Sequence, residues 1–382
     1  MQRVRSTCGS RSCISLRMYF SKSHANPIET SRPRLQSLQI CRGLAAIVVV
    51  MFHAVCLTRE RTGQPSLLVG LIPGCSAVDL FFILSGLIVF HAHRADLGHA
   101  EKVYGFFYRR FIRIYPLYLL MTLATIGLYV FGFGHVYKLT YGVIGKSLLL
   151  FPQVPGMRPI VNTGWTLCHE VLFYCIFAVL ICATRKVAIL LASGFVVLSA
   201  VACCVHLPGP YWVQSWLFSP YNLEFAAGCW ASALMRRRLS WMLPIGLLCL
   251  AFSWCWSSIV VVDLGDGNPT RMLVTFGIPY WLIVLGSVSM ERSAVMWVPK
   301  LISEIGEASY SIYLSHFVIV SALTALMTRC HSPAILTVCA ASIFSTILGY
   351  TLYRTTERPL LLWLRRLKPT KPLGLESLQP SR

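Results

Sequence analysis

A succession of apolar runs, each near the roughly 20 residues needed to cross a bilayer, leaves this chain few ways to fold. Backbone in lipid must satisfy its own hydrogen bonds, so such runs become helices packed on one another. Apolar stretches and their breakers mark ten spans, at about 38–57, 76–93, 111–133, 164–183, 187–205, 216–234, 241–262, 272–290, 308–328 and 333–353. Only 13% of residues are charged and 56% are hydrophobic, whereas a typical soluble domain is about 25% charged. The sequence therefore predicts an all-α fold, a polytopic integral membrane bundle of about ten transmembrane helices. The segment 134–163, centred on Tyr141–Phe151, is too short and too broken by Gly and Pro to span, and is expected to be re-entrant or to lie at the surface.

The net charge of +20 would suggest nucleic acid in a soluble protein. Here the basic residues sit in short loops and at both ends, so membrane orientation explains them better and no nucleic-acid partner is expected. With the N-terminus inside, inner segments hold 25 Lys and Arg and outer ones 7; without the first 34 residues the ratio is still 18 to 7. That bias predicts both termini cytoplasmic.

Residues 1–34 carry seven basic residues against one acid, Glu29, with many serines. They read as a disordered basic extension, or as sequence upstream of a start at Met18; a transit peptide has the same composition. The expected organisation is this extension, a transmembrane domain over 35–360, and a short basic cytoplasmic tail over 361–382, with no soluble domain appended. The 15 cysteines, among them Cys168, Cys175, Cys182, Cys203 and Cys204, show neither metal-site nor disulfide spacing. They are expected to be small buried hydrophobes.

Ionisable residues inside spans are costly and default to functional hypotheses. Arg42 and His53 are eleven positions apart in the first span, hence on one helix face and about 16 Å apart along its axis. Arg42 alone also reads as an anchor snorkelling to headgroups, and His53 alone as a histidine bonded to a neighbouring helix. Glu170, in "NTGWTLCHEVLFY", falls at a depth comparable to His53. It is expected to orient and charge-stabilise the imidazole as a general base. Trp165, Phe173 and Tyr174 pack around it, and His169 reads as structural. Asp79 either caps the second span or lines the same cavity, while Ser85 and Gly86 permit close helix packing.

Arg110 and Arg113, at i and i+3 in "YRRFIRIYPLYLL", share a face at the cytoplasmic mouth of the third span. Paired guanidinium groups suit a polyphosphate; a positive-inside flank explains Arg110 equally and Arg113 less well. In "EIGEASYSIYLSHFVIV", Ser309, Tyr313 and His316 form a polar stripe expected to face the bundle interior, for catalysis or for packing. A transporter would share such residues, but its paired repeats with broken midplane helices are not found. A non-catalytic component of a polysaccharide assembly complex is the other alternative.

Taken in order, R-x10-H, "VDLFFILSG", "RRFIRIYPLY", "GWTLCHEVLFY", "NLEFAAGCWAS", "GEASYSIYLSHF" and a closing "ERP" resemble the membrane-bound acyltransferase family 3, across about residues 35–360. Its members are bacterial O-acyltransferases of lipopolysaccharide O-antigen, exopolysaccharide and nodulation factors. The resemblance implies transfer of an acyl group, often acetyl, from cytoplasmic acyl-CoA to a sugar hydroxyl of a carbohydrate or lipid-linked glycan. It implies His53 as catalytic histidine with Arg42 as its partner arginine, Arg110 and Arg113 on the coenzyme, and Glu170 as the acidic residue. Acyl-CoA is then a donor substrate, with no permanently bound cofactor and no metal. The bacterial inner membrane is the expected location, in contact with membrane lipids. Some members carry an extracytoplasmic hydrolase-like domain; this chain is expected to act alone or with a separate partner.

Overall fold

The computed structural model describes residues 35–63, 76–259, 268–293 and 298–367. The expected extension over 1–34 and positions 368–382 of the expected tail lie outside the described residues. Among the described residues the fold is helical, without a strand. The helices are α1 (Gln36–Thr62), α2 (Ala77–His93), α3 (Val103–Val130), α4 (Tyr141–Leu148), α5 (Gly164–Cys182) and α6 (Arg185–Ala202). They continue with α7 (Tyr221–Leu234), α8 (Met242–Ile259), α9 (Pro269–Ser293), α10 (Lys300–Arg329) and α11 (Ala334–Arg366).

Seven of these, α1, α3, α5, α6, α9, α10 and α11, are long and apolar enough to cross a membrane by length and composition. Helix α2 and residues Met242–Trp256 of α8 are apolar but shorter, and α7 has 14 residues. The outer surface is apolar: α6 exposes Ile189, Leu190 and Val197, α8 exposes Leu248 and Phe252, and α11 exposes Ile343 and Phe344. In water such a surface would aggregate; in lipid it is the solvated face. The chain is a multi-pass membrane protein. Six of the described cysteines, all expected to be buried, are exposed instead, namely Cys175, Cys182, Cys204, Cys255, Cys330 and Cys339, whereas Cys168 is buried. Lipid accepts a small apolar thiol as readily as a core does, so hydrophobicity did not distinguish the two.

Helices α1 and α10 run parallel, their paired contacts advancing together along both chains. Gly43 abuts the Gly306 backbone, and a Cβ on Gly306 would overlap the Gln39 carbonyl. Farther on, Arg42 reaches Ser309, His53 meets His316, and Arg61 bonds Ser321 and Thr324. Small residues are what let membrane helices approach this closely.

Gly86 of α2 and Gly228 of α7 make a second close crossing: a Cβ at Gly86 would overlap the Phe225 carbonyl, and one at Gly228 the Ile83 carbonyl. Backbone cannot step aside as a flexible side chain can. Gly228→Ala is therefore expected to destabilise the bundle by about 1–3 kcal/mol, the usual cost of overpacking. A lowered melting temperature in detergent would register it; an unchanged one would show that the crossing is looser.

Two wide π turns interrupt helices, at Leu273–Gly277 in α9 and Tyr353–Glu357 in α11, and a third, Val213–Leu217, lies between α6 and α7. Each precedes a proline, Pro220, Pro279 or Pro359. Proline lacks the N–H for an i→i−4 bond and its ring crowds that carbonyl. Within α9 and α11 the carbonyls concerned, those of Thr275 and Thr355, lie inside the wide turns, which relieve the crowding.

The segment 134–163 is tied down by its own polar groups. Tyr118 Oη donates to the Ser147 carbonyl (2.8 Å), and Ser147 Oγ accepts from the Ile160 N–H (3.0 Å). Lys138, which in the sequence reads equally as a contact for an anionic glycan or as an ordinary surface charge, is buried; its ammonium donates to the Pro159 carbonyl (3.0 Å) and to Asn162 Oδ1. Burial, with Arg158 nearby, pushes this amine down to about 8. An unfolded lysine titrates near 10.4, so between those values the unfolded chain binds more protons and this group favours folding increasingly as pH rises. Lys138→Ala strands two acceptors and is expected to cost about 1–3 kcal/mol. The loss relative to wild type should be larger at pH 9.5 than at pH 7 in thermal unfolding.

Candidate active site

A cavity of about 110 Å³ lies where α1, α2, α3, α5 and α10 converge. Its wall includes Arg42 from α1, Arg110 and Arg113 from α3, Glu170 from α5, and Ser309 and Tyr313 from α10. The helical periods bring these groups together from distant parts of the sequence. Arg42 Nε donates to Ser309 Oγ (3.2 Å). Arg113 pairs with Glu357, which also accepts from Ser311, and its guanidinium lies 5.3 Å from the Tyr310 ring centroid. Arg110 rests against Phe106 (5.8 Å) and Tyr174 (5.5 Å), and its Nε has no hydrogen-bond partner among the described residues.

Glu170 accepts from Ser85 Oγ (3.1 Å) and from Tyr174 Oη. Arg42 is repelled by Arg113 and attracted by Glu170 and Glu357. Three guanidinium groups thus face one wall carboxylate, and Glu357 offsets only Arg113 directly. What remains is a small, partly apolar chamber with a surplus of fixed positive charge, suited to an anionic ligand.

His53 does not line this chamber. Its Nδ1 lies 3.0 Å from the Val49 carbonyl and 3.2 Å from Nε2 of fully buried His316. The rings of Phe52 and Phe317 stand edge-on to it, with centroids at 5.3 and 5.5 Å. The expected pairing of His53 with Glu170 is therefore not formed: α5 turns Glu170 towards Ser85 of α2, while α1 turns His53 towards α10. Equal depth in the membrane does not imply contact, because depth says nothing about which neighbour a helix faces. Tyr313 joins the two regions. Its hydroxyl, at the cavity wall, is 2.9 Å from Thr166 Oγ1, and its ring centroid is 5.7 Å from that of His316.

The other expected cavity residues lie elsewhere. Trp165 packs against Tyr221 (5.5 Å) and His169 (6.1 Å), with Arg158 over its face (5.0 Å). Asp79 sits buried in the first turn of α2, outside the cavity wall, and interacts with the equally buried Glu224 of α7. Glu224 and Glu357 were visible inside the quoted motifs "NLEFAAGCWAS" and "ERP", yet neither stood out, since each lies near a helix start or break. No group of three or more His, Cys, Asp or Glu able to hold a metal occurs among the described residues.

The sequence model of a family described as "Acyltransferase domain" matches residues 35–354. The exopolysaccharide production protein ExoZ of Rhizobium meliloti (strain 1021) is 29% identical over 319 residues, 82% of this chain and 94% of that protein. Acyltransferase MdmB of Streptomyces mycarofaciens is 25% identical over 326 residues, 75% of this chain and 79% of that one. A protein named "Protein 2 in picA locus" from Rhizobium radiobacter is 31% identical over 156 residues, 36% of this chain and 77% of its own. No solved structure gives a match.

Proposed function

This chain belongs to the acyltransferase family whose model spans residues 35–354, and from that premise we propose that it is an O-acyltransferase moving an acyl group, acetyl first among candidates, from cytoplasmic acyl-CoA to a hydroxyl of a cell-surface carbohydrate. The observation that carries the donor half is the meeting of Arg42, Arg110 and Arg113 at one chamber. Guanidinium groups bind phosphate oxygens bidentately, and coenzyme A is an anionic donor. A chamber of about 110 Å³ is too small for the whole coenzyme; its arginines take the phosphate end, and the acyl-bearing arm extends past them towards His53. The acceptor half is supported by a relative named for exopolysaccharide production.

In the proposed topology ten spans leave both termini in the cytoplasm of a bacterium, and the protein resides in the inner membrane. The Lys and Arg bias supports this orientation, which turns Arg42, Arg110 and Arg113 to the donor side. His53 lies three helical turns farther out along α1. As general base it takes the proton of the acceptor hydroxyl while the oxygen attacks the thioester carbonyl; the C–O bond forms, the C–S bond breaks, and the thiolate of coenzyme A leaves. Glu170 acts on the donor side, balancing the arginines, and does not orient His53.

Transfer of label from acetyl-CoA to membrane glycan in inverted vesicles tests the reading. A chain that moves no label from acetyl-CoA or from longer acyl-CoA donors, in membranes holding unacylated polymer, would overturn it.

A further inference from the structure

Three hydrogen-bond contacts, one within α10, one within α1 and one between them, leave only one consistent placement of protons. His316 Nδ1 lies 2.6 Å from the Tyr313 carbonyl. A carbonyl oxygen only accepts, so Nδ1 carries the hydrogen. In the neutral ring Nε2 is then a bare acceptor, and it lies 3.2 Å from His53 Nδ1. His53 Nδ1 is also 3.0 Å from the Val49 carbonyl. With acceptors on both sides, His53 Nδ1 must be the N–H as well. The opposite tautomer would set lone pairs against each other at Val49. Protonating His316 at Nε2 does not help, since the clash at Val49 remains.

We infer that His316 is a positioning residue: itself oriented by the Tyr313 carbonyl, it acts with the Val49 carbonyl to hold the hydrogen of His53 on Nδ1, fixes the ring between α1 and α10, and so leaves Nε2 of His53 as the free base. The inference rests on the proposed reading of His53 as general base. The partner of one ring nitrogen decides what the other can do, and a wrong tautomer in a serine-protease triad lowers kcat about 10⁴-fold. The same contacts serve the next step. When Nε2 takes a proton, the charge spreads to Nδ1–H, which already faces two acceptors. The relay begins at the backbone of Tyr313, whose phenol lines the donor chamber, so one residue borders both regions.

Solid-state NMR of the full-length protein in bilayers, labelled with ¹⁵N-histidine, reads the tautomer directly. The His53 signals are those lost in His53→Ala. They are expected to show a protonated Nδ1 and a bare Nε2 in the wild type; a wild-type His53 protonated on Nε2 alone overturns the proposal whatever the kinetics show. Kinetics supplies a second readout. His316→Phe keeps a ring and removes the acceptor, so kcat should fall about 10²- to 10⁴-fold while KM for acetyl-CoA stays within about twofold. His316→Gln returns an acceptor oxygen and should recover at least tenfold over His316→Phe. Wild-type kcat in His316→Phe, or equal losses in both variants, would reduce His316 to packing. Full activity in His53→Ala would instead remove the general-base reading and leave the NMR result to stand on its own.

Discussion

His53→Ala is expected to abolish acyl transfer, with a loss of about 10²- to 10⁴-fold in kcat, the range a general base supplies. Expression and membrane insertion should change little, and the melting temperature should fall by only a few degrees. The side chain is half-buried between Phe52 and Phe317 and makes one interhelical hydrogen bond, to His316. Truncation thus leaves His316 Nε2 a lone acceptor, a cost of about 1–3 kcal/mol. The α1–α10 seam keeps its Gly43–Gly306 contact and the Arg42–Ser309 bond. Activity and stability therefore separate at this position. Near-normal transfer of label in the variant would dismiss His53 as the base; a collapse of expression would show a structural role larger than its contacts imply.

Arg113→Ala should act on both quantities at once. Glu357 is only 2% exposed and Arg113 27% exposed in their side chains. Removing one partner of a buried pair typically costs about 3–5 kcal/mol because the other charge is stranded. The lower end is expected here, since Ser311 still donates to Glu357. Donor binding should weaken too, since one of three guanidinium groups at the chamber is gone. The double variant Arg113→Ala/Glu357→Gln separates these effects. Neutralising the stranded carboxylate should restore most of the melting temperature without restoring KM for acetyl-CoA. If the single variant melted like wild type and kept its KM, neither the ion pair nor the donor site would have the weight given to it.

Much of this architecture is legible in the order of residues. Helices occur where apolar runs sit between breakers, and the three arginines that interrupt that apolarity meet at one chamber. The stripe Ser309, Tyr313 and His316 has the spacing of one helix face, and its members reach Arg42, Thr166 and His53. What could not be read is which helix faces which. A period of 3.6 residues assigns side chains to a face, and charge bias assigns depth, but neither gives the rotation of one helix against a distant neighbour. Hence Glu170 was matched to His53 by depth, when its bonds go to Ser85 and Tyr174. Glu357 escaped notice because its reach to Arg113 follows a π turn, which shifts the helix face by a residue in a way simple periodicity does not foresee. Lys138 was counted as a loop charge because nothing local reveals that Pro159 and Asn162 fold back over it.

The bond between Arg113 and Glu357 spans 244 positions, and this has a consequence for biosynthesis. Arg113 enters the membrane with α3, long before its counter-charge has been translated. Until the end of α11 arrives, the chamber carries one more unpaired cation than in the finished protein, and α3 lacks the partner that settles it. The chamber is thus among the last parts of the protein to reach its final electrostatic state, and a ribosome that stops short of Glu357 leaves a bundle whose chamber is marked as incomplete by its own charge.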